Sequence, residues 1–204
     1  VTLLVIAPFS VVVARRIGSK AVVATGMALI AVSLGVLSRT TIDGTYRDCV
    51  ISFLALGVGV ALALAPCTES VMGSLPRAEA GVGSATNDTS LQIGGALGVG
   101  VLGTALNLRY EHLLAAALAP YRVPASVRGV IEGSLGGALA VAKRAPAPLA
   151  RELVVEARRA FVSGMDLALV ISAAVVGLAA LVVVILLPNH GVEVDNEPEV
   201  VTHR

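Results

Sequence analysis

GVGSATNDTSLQIGGALGVGVLGTAL, residues 81–106, is long enough to cross a bilayer, yet it holds Asn87, Asp88 and Gln92 among its glycines and apolar residues. A carboxylate inside a hydrocarbon-length stretch costs roughly 2.5–3.5 kcal/mol on insertion scales, so an ionisable residue kept there points to a functional site. Ser84, Asp88, Gln92 and Gly95 recur at spacings of four, four and three. In a helix that spacing places them on one stripe, with Asn87 and Leu91 beside it. A polar stripe of this kind should face protein or water rather than lipid. Ser84, Asn87, Asp88 and Gln92 are therefore candidates for lining a solute pathway, with Asp88 as a proton-exchanging group. The structural alternative is that Asn87 and Asp88 hold neighbouring helices by hydrogen bonds, or sit in the wet mouth of the helix.

The second half of the stretch reads differently. Gly98, Gly100 and Gly103 match the G-x-G-x-x-G dinucleotide pattern, but that pattern has meaning only between a strand and a helix start. Inside an apolar helix, Gly94, Gly95 and Gly98 predict a smooth face for helix packing.

Outward from this segment, the composition supports a membrane class. Hydrophobic residues make up 56% of the chain and charged residues 14%, against about 25% charged in an ordinary soluble domain; mean hydropathy is +0.87. Too little charge is present to cover a soluble surface. No basic patch interleaved with aromatics suggests a nucleic-acid partner. Cys49 and Cys67 close the two ends of one apolar run, roughly 27 Å apart as a helix, so both are expected to be free thiols. The histidines His112, His190 and His203 are scattered. Neither they nor the cysteines form a metal spacing or a nucleophile and base pair, so neither a metal site, a cofactor nor an enzyme is expected.

Taken in order, the apolar run 1–14 starts without a charged leader and reads as a helix entered partway. The basic turn Arg15-Arg16-Ile17-Gly18-Ser19-Lys20 joins it to the span 21–38. Residues 49–66 form the next span. A membrane helix tolerates an internal proline when neighbours satisfy the freed carbonyl, so this span is expected to continue through Pro66 to about Gly73. A short turn at 75–80 leads into 81–106. The segment 109–160 is mixed in polarity, with two possible amphipathic helices at 126–143 and 148–161, the second carrying Pro148 at its start. Residues 167–187 are an uncharged span, with Asp166 expected as the charge at its N-terminus, favoured by the helix dipole. Pro188 ends it.

The predicted organisation is all-α and integral to the membrane. Residues 1–107 supply four membrane helices, 108–161 a long extracytoplasmic loop, 162–187 the last membrane helix, and 188–204 an acidic cytoplasmic tail. The basic turn is placed in the cytoplasm by the lysine and arginine bias of short loops.

The stretch from Gly81 through Asn87, Asp88, Thr89 and Ser90 to Gly94, Gly95, Leu97, Gly98 and Val99 resembles the penultimate span of one transporter family. That family is the major facilitator superfamily multidrug proton antiporters of the fourteen-span EmrB and QacA type. The Gly57, Gly59, Pro66 and Pro76 pattern and the loop residues Arg16, Gly18 and Lys20 are similar to it as well. The resemblance implies the C-terminal five spans of a helical bundle that is incomplete without an N-terminal transporter half. It also implies a bacterial plasma membrane location, lipid surroundings, and export of small lipophilic substrates in exchange for protons. Activity is then not expected of these five spans alone. Two other expectations stand beside it: a metabolite carrier or symporter of the same superfamily, or a non-transport membrane scaffold that binds through its glycine faces.

Overall fold

The computed structural model describes residues 10, 12–14, 16–39, 46–73, 76–121 and 123–186. The expected first span falls largely outside the described residues, and the expected tail wholly so. Every regular element among the described residues is helical. The main elements are α1 (Ser19–Leu37), α2 (Tyr46–Gly73), α3 (Ala80–Leu118), α4 (Ala125–Gly133), α5 (Leu135–Ala142) and α6 (Ala147–Leu186), with a single 3-10 turn at Arg77–Glu79 before α3. Of these, α1, α2, α3 and α6 are long and apolar enough to cross a membrane. Helix is the form that satisfies its own backbone hydrogen bonds where lipid offers no partner. Polar side chains on these helices follow the same logic. Thr86, Thr89, Ser90 and Thr104 on α3 each donate to the carbonyl four residues back, at 2.7–2.9 Å. Their hydroxyls thus need no other partner.

The turn before α1 depends on Gly18. Its φ of +99° is a conformation that side chains rarely adopt, and glycine enters it without a Cβ penalty. Its N–H bonds back to the Ala14 carbonyl at 2.9 Å, closing the helical stretch before it, while α1 begins at the next residue. As expected, α2 runs through Pro66 to Gly73, with Pro66 fully buried. Cys49 and Cys67 are free thiols.

Helix α1 packs against both α2 and α6, and α6 in turn carries α3. The central pair α1 and α6 is thus flanked by α2 on one side and α3 on the other. The closest approach is between α1 and α2 at Gly26 and Gly59, where an added Cβ on either would lie 2.8 Å from the other's carbonyl oxygen. Ser33 ties the same pair by donating to the Ser52 carbonyl at 2.5 Å, and Ser10 donates to the Ala61 carbonyl at 3.2 Å.

The segment expected as a loop at 108–161 differs in the structure. Helix α3 does not stop near residue 106 but continues to Leu118, and α6 begins at Ala147 rather than at 162. At 39 and 40 residues these helices are about 58 and 60 Å long, roughly twice a hydrocarbon core of about 30 Å. Their outer ends pack with α4 and α5 into a small capping bundle. Its core is Tyr110, Leu114, Leu118, Ile131, Ala138, Ala142, Leu153, Ala157 and Ala160. The single helix expected over 126–143 is broken at Ser134, which is extended and accepts the Gly137 N–H at 3.0 Å as the cap of α5. Tyr110 donates its buried hydroxyl to the Ile131 carbonyl at 3.0 Å, a group near the end of α4 where helices leave carbonyls unsatisfied. Pro148 does fall in the first turn of α6.

Candidate functional site

The four residues all lie in the membrane-length part of α3, and Ser84, Asp88 and Gln92 fall on the side of that helix turned away from α6, whereas Asn87, two turns before Gly94, falls toward it. Ser84, Asp88 and Gln92 are exposed, and Asn87 is half-buried. At about 100° per residue, the stripe lies roughly a third of the circumference round from the face that meets α6. Asn87 is the member nearest that face. Unlike the back-bonded Thr86, Thr89 and Ser90, the four stripe side chains form no hydrogen bond or ion pair with the described residues. The expected alternative, in which Asn87 and Asp88 tie neighbouring helices together, therefore has no counterpart among the described contacts. Around them Leu91, Ile93, Leu97, Val99 and Val101 are exposed as well.

The glycine face expected to pack does not make close contact. Gly94 and Gly98 do face α6, but across an apolar groove of about 340 Å3 that they share with Leu97, Val101, Ile171 and Val175. An added Cβ at Gly94, Gly95 or Gly98 would meet nothing within 4 Å. The point where α3 and α6 touch most closely is one step further out. There a Cβ on Gly164 would lie 2.7 Å from the Leu106 carbonyl oxygen, and Arg109 Nε donates to Ser163 Oγ at 3.3 Å. Below this crossing the helices part to form the groove; above it they enclose the capping bundle. Of the close backbone contacts between the long helices, at Gly26, Gly59 and Gly164, Gly59 lies on the small-residue face that the span 49–66 is expected to offer for close helix contact, while Gly26 and Gly164 were not singled out by sequence spacing.

Asp166 is a second position where the structure corrects the expectation. Because α6 begins at Ala147, Asp166 lies well inside the helix, where the dipole of the N-terminal turn does not reach. Its Oδ1 is buried with no hydrogen-bond partner among the described residues. A signal was present in the sequence: Leu153, Ala157, Ala160 and Gly164 are all buried and recur at spacings of four, three and four, the period of one helix face that continues into the apolar run.

The basic-turn residues Arg16, Gly18 and Lys20 bracket the start of α1. Arg16 is exposed and Lys20 half-buried, with Gly18 supplying the bend between them. No grouping of His, Cys, Asp and Glu able to hold a metal ion exists among the described residues.

The chain is similar to the multidrug efflux pump LfrA of Mycolicibacterium smegmatis, with 32% identity over 172 residues, or 83% of this chain and 33% of that protein. It is similar to the tetracenomycin C resistance and export protein of Streptomyces glaucescens, with 30% identity over 180 residues, covering 86% of this chain and 34% of the relative. A shorter match, 34% over 108 residues, joins 52% of the chain to 20% of the multidrug transporter protein MdtP of Bacillus subtilis. The chain thus spans about a third of the length of the first two relatives. No family model and no solved structure matches it. Relatives named for efflux and export, together with four membrane-length helices and no strand among the described residues, make this an all-α membrane protein related to transporters rather than to enzymes.

Proposed function

We propose that the chain is the C-terminal part of a major facilitator superfamily drug exporter of the fourteen-span proton antiporter type, working in the plasma membrane. The observation that carries this reading is the unpartnered stripe Ser84, Asp88 and Gln92 on the open side of α3, with Asn87 beside it. A carboxylate and an amide facing lipid would be costly. The cost vanishes if that side of α3 faces a water-filled cavity completed by an N-terminal half. Substrate and coupling-ion sites in such transporters lie near the bilayer midplane between the two repeats. Five spans of fourteen are about a third of such a protein, in keeping with the 33% and 34% of the relatives' lengths that the chain matches.

In this reading the stripe lines the exit path for lipophilic compounds, and Asp88 takes up a proton as substrate leaves. The capping bundle lies outside the cell and the Arg16 to Lys20 turn inside. The test is made in the full-length parent. Asp88→Asn should reduce proton-driven efflux of a fluorescent drug in inverted vesicles while leaving the protein normally expressed. Unchanged coupling would reduce Asp88 to a cavity-lining residue. The 204-residue chain reconstituted alone should not transport, and efflux from liposomes holding it alone would overturn the two-half reading.

A further inference from the structure

The apolar groove between α3 and α6 has no part in the transport reading, because the polar stripe faces away from α6 while Gly94 and Gly98 face it. An added Cβ at either glycine would meet nothing within 4 Å, and Leu97, Val101, Ile171 and Val175 wall the rest. From Gly94 to Leu102 the groove follows α3 for about 12 Å. A volume of about 340 Å3 over that length gives a cross-section of about 30 Å2, under half that of a helix about 10 Å across and wide enough for one hydrocarbon chain. The stretch before α1 does not supply that chain, since Ser10 ties it to Ala61 of α2, and no residue of α2 lines the groove among the described residues.

A basic side chain stands above the groove at the depth of lipid phosphate. Gly94 is at the middle of the stretch 81–106, and Arg109 lies about 22 Å beyond it along the helix. Half a bilayer is about 15 Å of hydrocarbon and about 20–22 Å with its headgroups, so Arg109 falls in the headgroup layer. Helix α6 gives the same depth independently. Ser163, which accepts from Arg109 Nε at 3.3 Å, is about 21 Å from Gly177 at the middle of the uncharged run 167–187. Arg109 also follows Gly98 by about three helical turns and stands on the same face of α3 within about 20°. It is exposed and forms no ion pair among the described residues, with Asp166 or any other carboxylate. Its charged neighbours leave it unneutralised: Arg159 is paired with Glu156 at 3.0 Å, and Glu111 takes a hydrogen bond from Asn107 at 2.8 Å on another face of α3.

We propose that the groove holds one anionic phospholipid, with an acyl chain lying along Gly94 and Gly98 and the phosphate paired with Arg109. The guanidinium fork matches two phosphate oxygens at once. A lipid of net negative charge gains from the unpaired Arg109, whereas a zwitterionic lipid brings its own cation beside it and gains little. The inference needs only that α3 and α6 cross the bilayer, and it stands whether or not Asp88 carries protons.

The test uses a fluorescent reporter, since the chain contains no Trp. Thr104 is exposed, bonds only back to the Gly100 carbonyl, and lies three residues beyond Val101 at the edge of the groove. The 204-residue chain carrying Thr104→Trp is placed in phosphatidylcholine vesicles containing an equal fraction of either chain-brominated phosphatidylglycerol or chain-brominated phosphatidylcholine. Quenching is expected to show an association about fivefold stronger for the glycerol lipid. Arg109→Gln should bring that ratio close to one, and so should Gly98→Leu, which fills the groove. Gly94→Leu is the second filling substitution if circular dichroism shows the first to be unfolded. Arg158→Gln, at an exposed position of the capping bundle, should leave the ratio unchanged. Equal quenching by the two lipids, a preference that survives Arg109→Gln or filling of the groove, or an equal loss with Arg158→Gln would each overturn the proposal.

Discussion

Replacing Gly26 by Ala should destabilise the α1–α2 pair, whereas the same replacement at Gly98 should not. A Cβ at Gly26 would lie 2.8 Å from the Ala63 nitrogen, 2.8 Å from the Gly59 oxygen and 2.9 Å from the Leu62 Cβ. Ordinary contact begins at about 3.5 Å, so the helices must part by about 0.7 Å. Two of the three opposing atoms are backbone and cannot rotate aside. Parting the pair also lengthens the Ser33 to Ser52 hydrogen bond, now 2.5 Å. Overpacking of this kind costs about 1–3 kcal/mol, against a gain of about 1 kcal/mol from the better helix former. The net loss is about 0–2 kcal/mol, centred near 1 kcal/mol and so on the order of fivefold in the folded population. At Gly98 the added methyl meets nothing within 4 Å, so only the propensity gain of up to about 1 kcal/mol remains. The assay is reversible unfolding of the chain in mixed micelles by SDS titration, followed by helical circular dichroism. Gly26→Ala as stable as the parent, or Gly98→Ala as damaging as Gly26→Ala, would refute the reasoning.

Tyr110→Phe should cost about 1–3 kcal/mol, because it leaves the Ile131 carbonyl without its buried donor; hydrogen exchange in α4 would report the loss locally, and unchanged protection would count against it. Asp166→Leu should raise stability by about 1 kcal/mol by removing a buried oxygen that has no partner, and a drop in the same SDS titration would mean that the carboxylate is satisfied after all. Tyr121 should titrate above its ordinary range, chiefly through its interaction with the Glu152 carboxylate. Since the folded value is the raised one, the stabilisation is fully present below the unfolded value near pH 10 and is lost as pH rises through the folded value. The difference in phenolate absorbance between the chain and its Tyr121→Phe variant isolates this group, and Glu152→Gln should return it toward the ordinary range.

Much of the helical plan was legible because the bilayer imposes it. The apolar runs behind α1 and α2, and the passage of α2 through Pro66, follow from span length and from the need to satisfy backbone groups within each helix. The start of α6 was legible at Pro148, but its unbroken run into the membrane span was not. Its outer half buries Leu153, Ala157, Ala160 and Gly164, mostly small residues, and exposes charge on its other face, so it lacks the apolar length that marks a span. That continuity across 162–166 decides the setting of Asp166, which changes from a dipole-stabilised N-terminal charge to a buried carboxylate oxygen inside a helix.

By itself the sequence determined that the chain is helical, that it belongs in a membrane, and that Ser84, Asp88 and Gln92 share one face of one helix. These properties come from hydropathy and a fixed period of 3.6 residues, which require no knowledge of neighbours. The small-residue face around Gly59 was also legible, but only the tertiary structure decided that its partner is Gly26 and that α3 and α6 meet at Gly164 rather than at Gly94 and Gly98. Small residues permit close packing wherever they occur, and because lipid is as apolar as a neighbouring helix, hydrophobic pattern cannot mark which face is taken. The same limit applies to the polar stripe. Its composition sets what it must avoid, while the packing of α3 on α6 alone leaves it open.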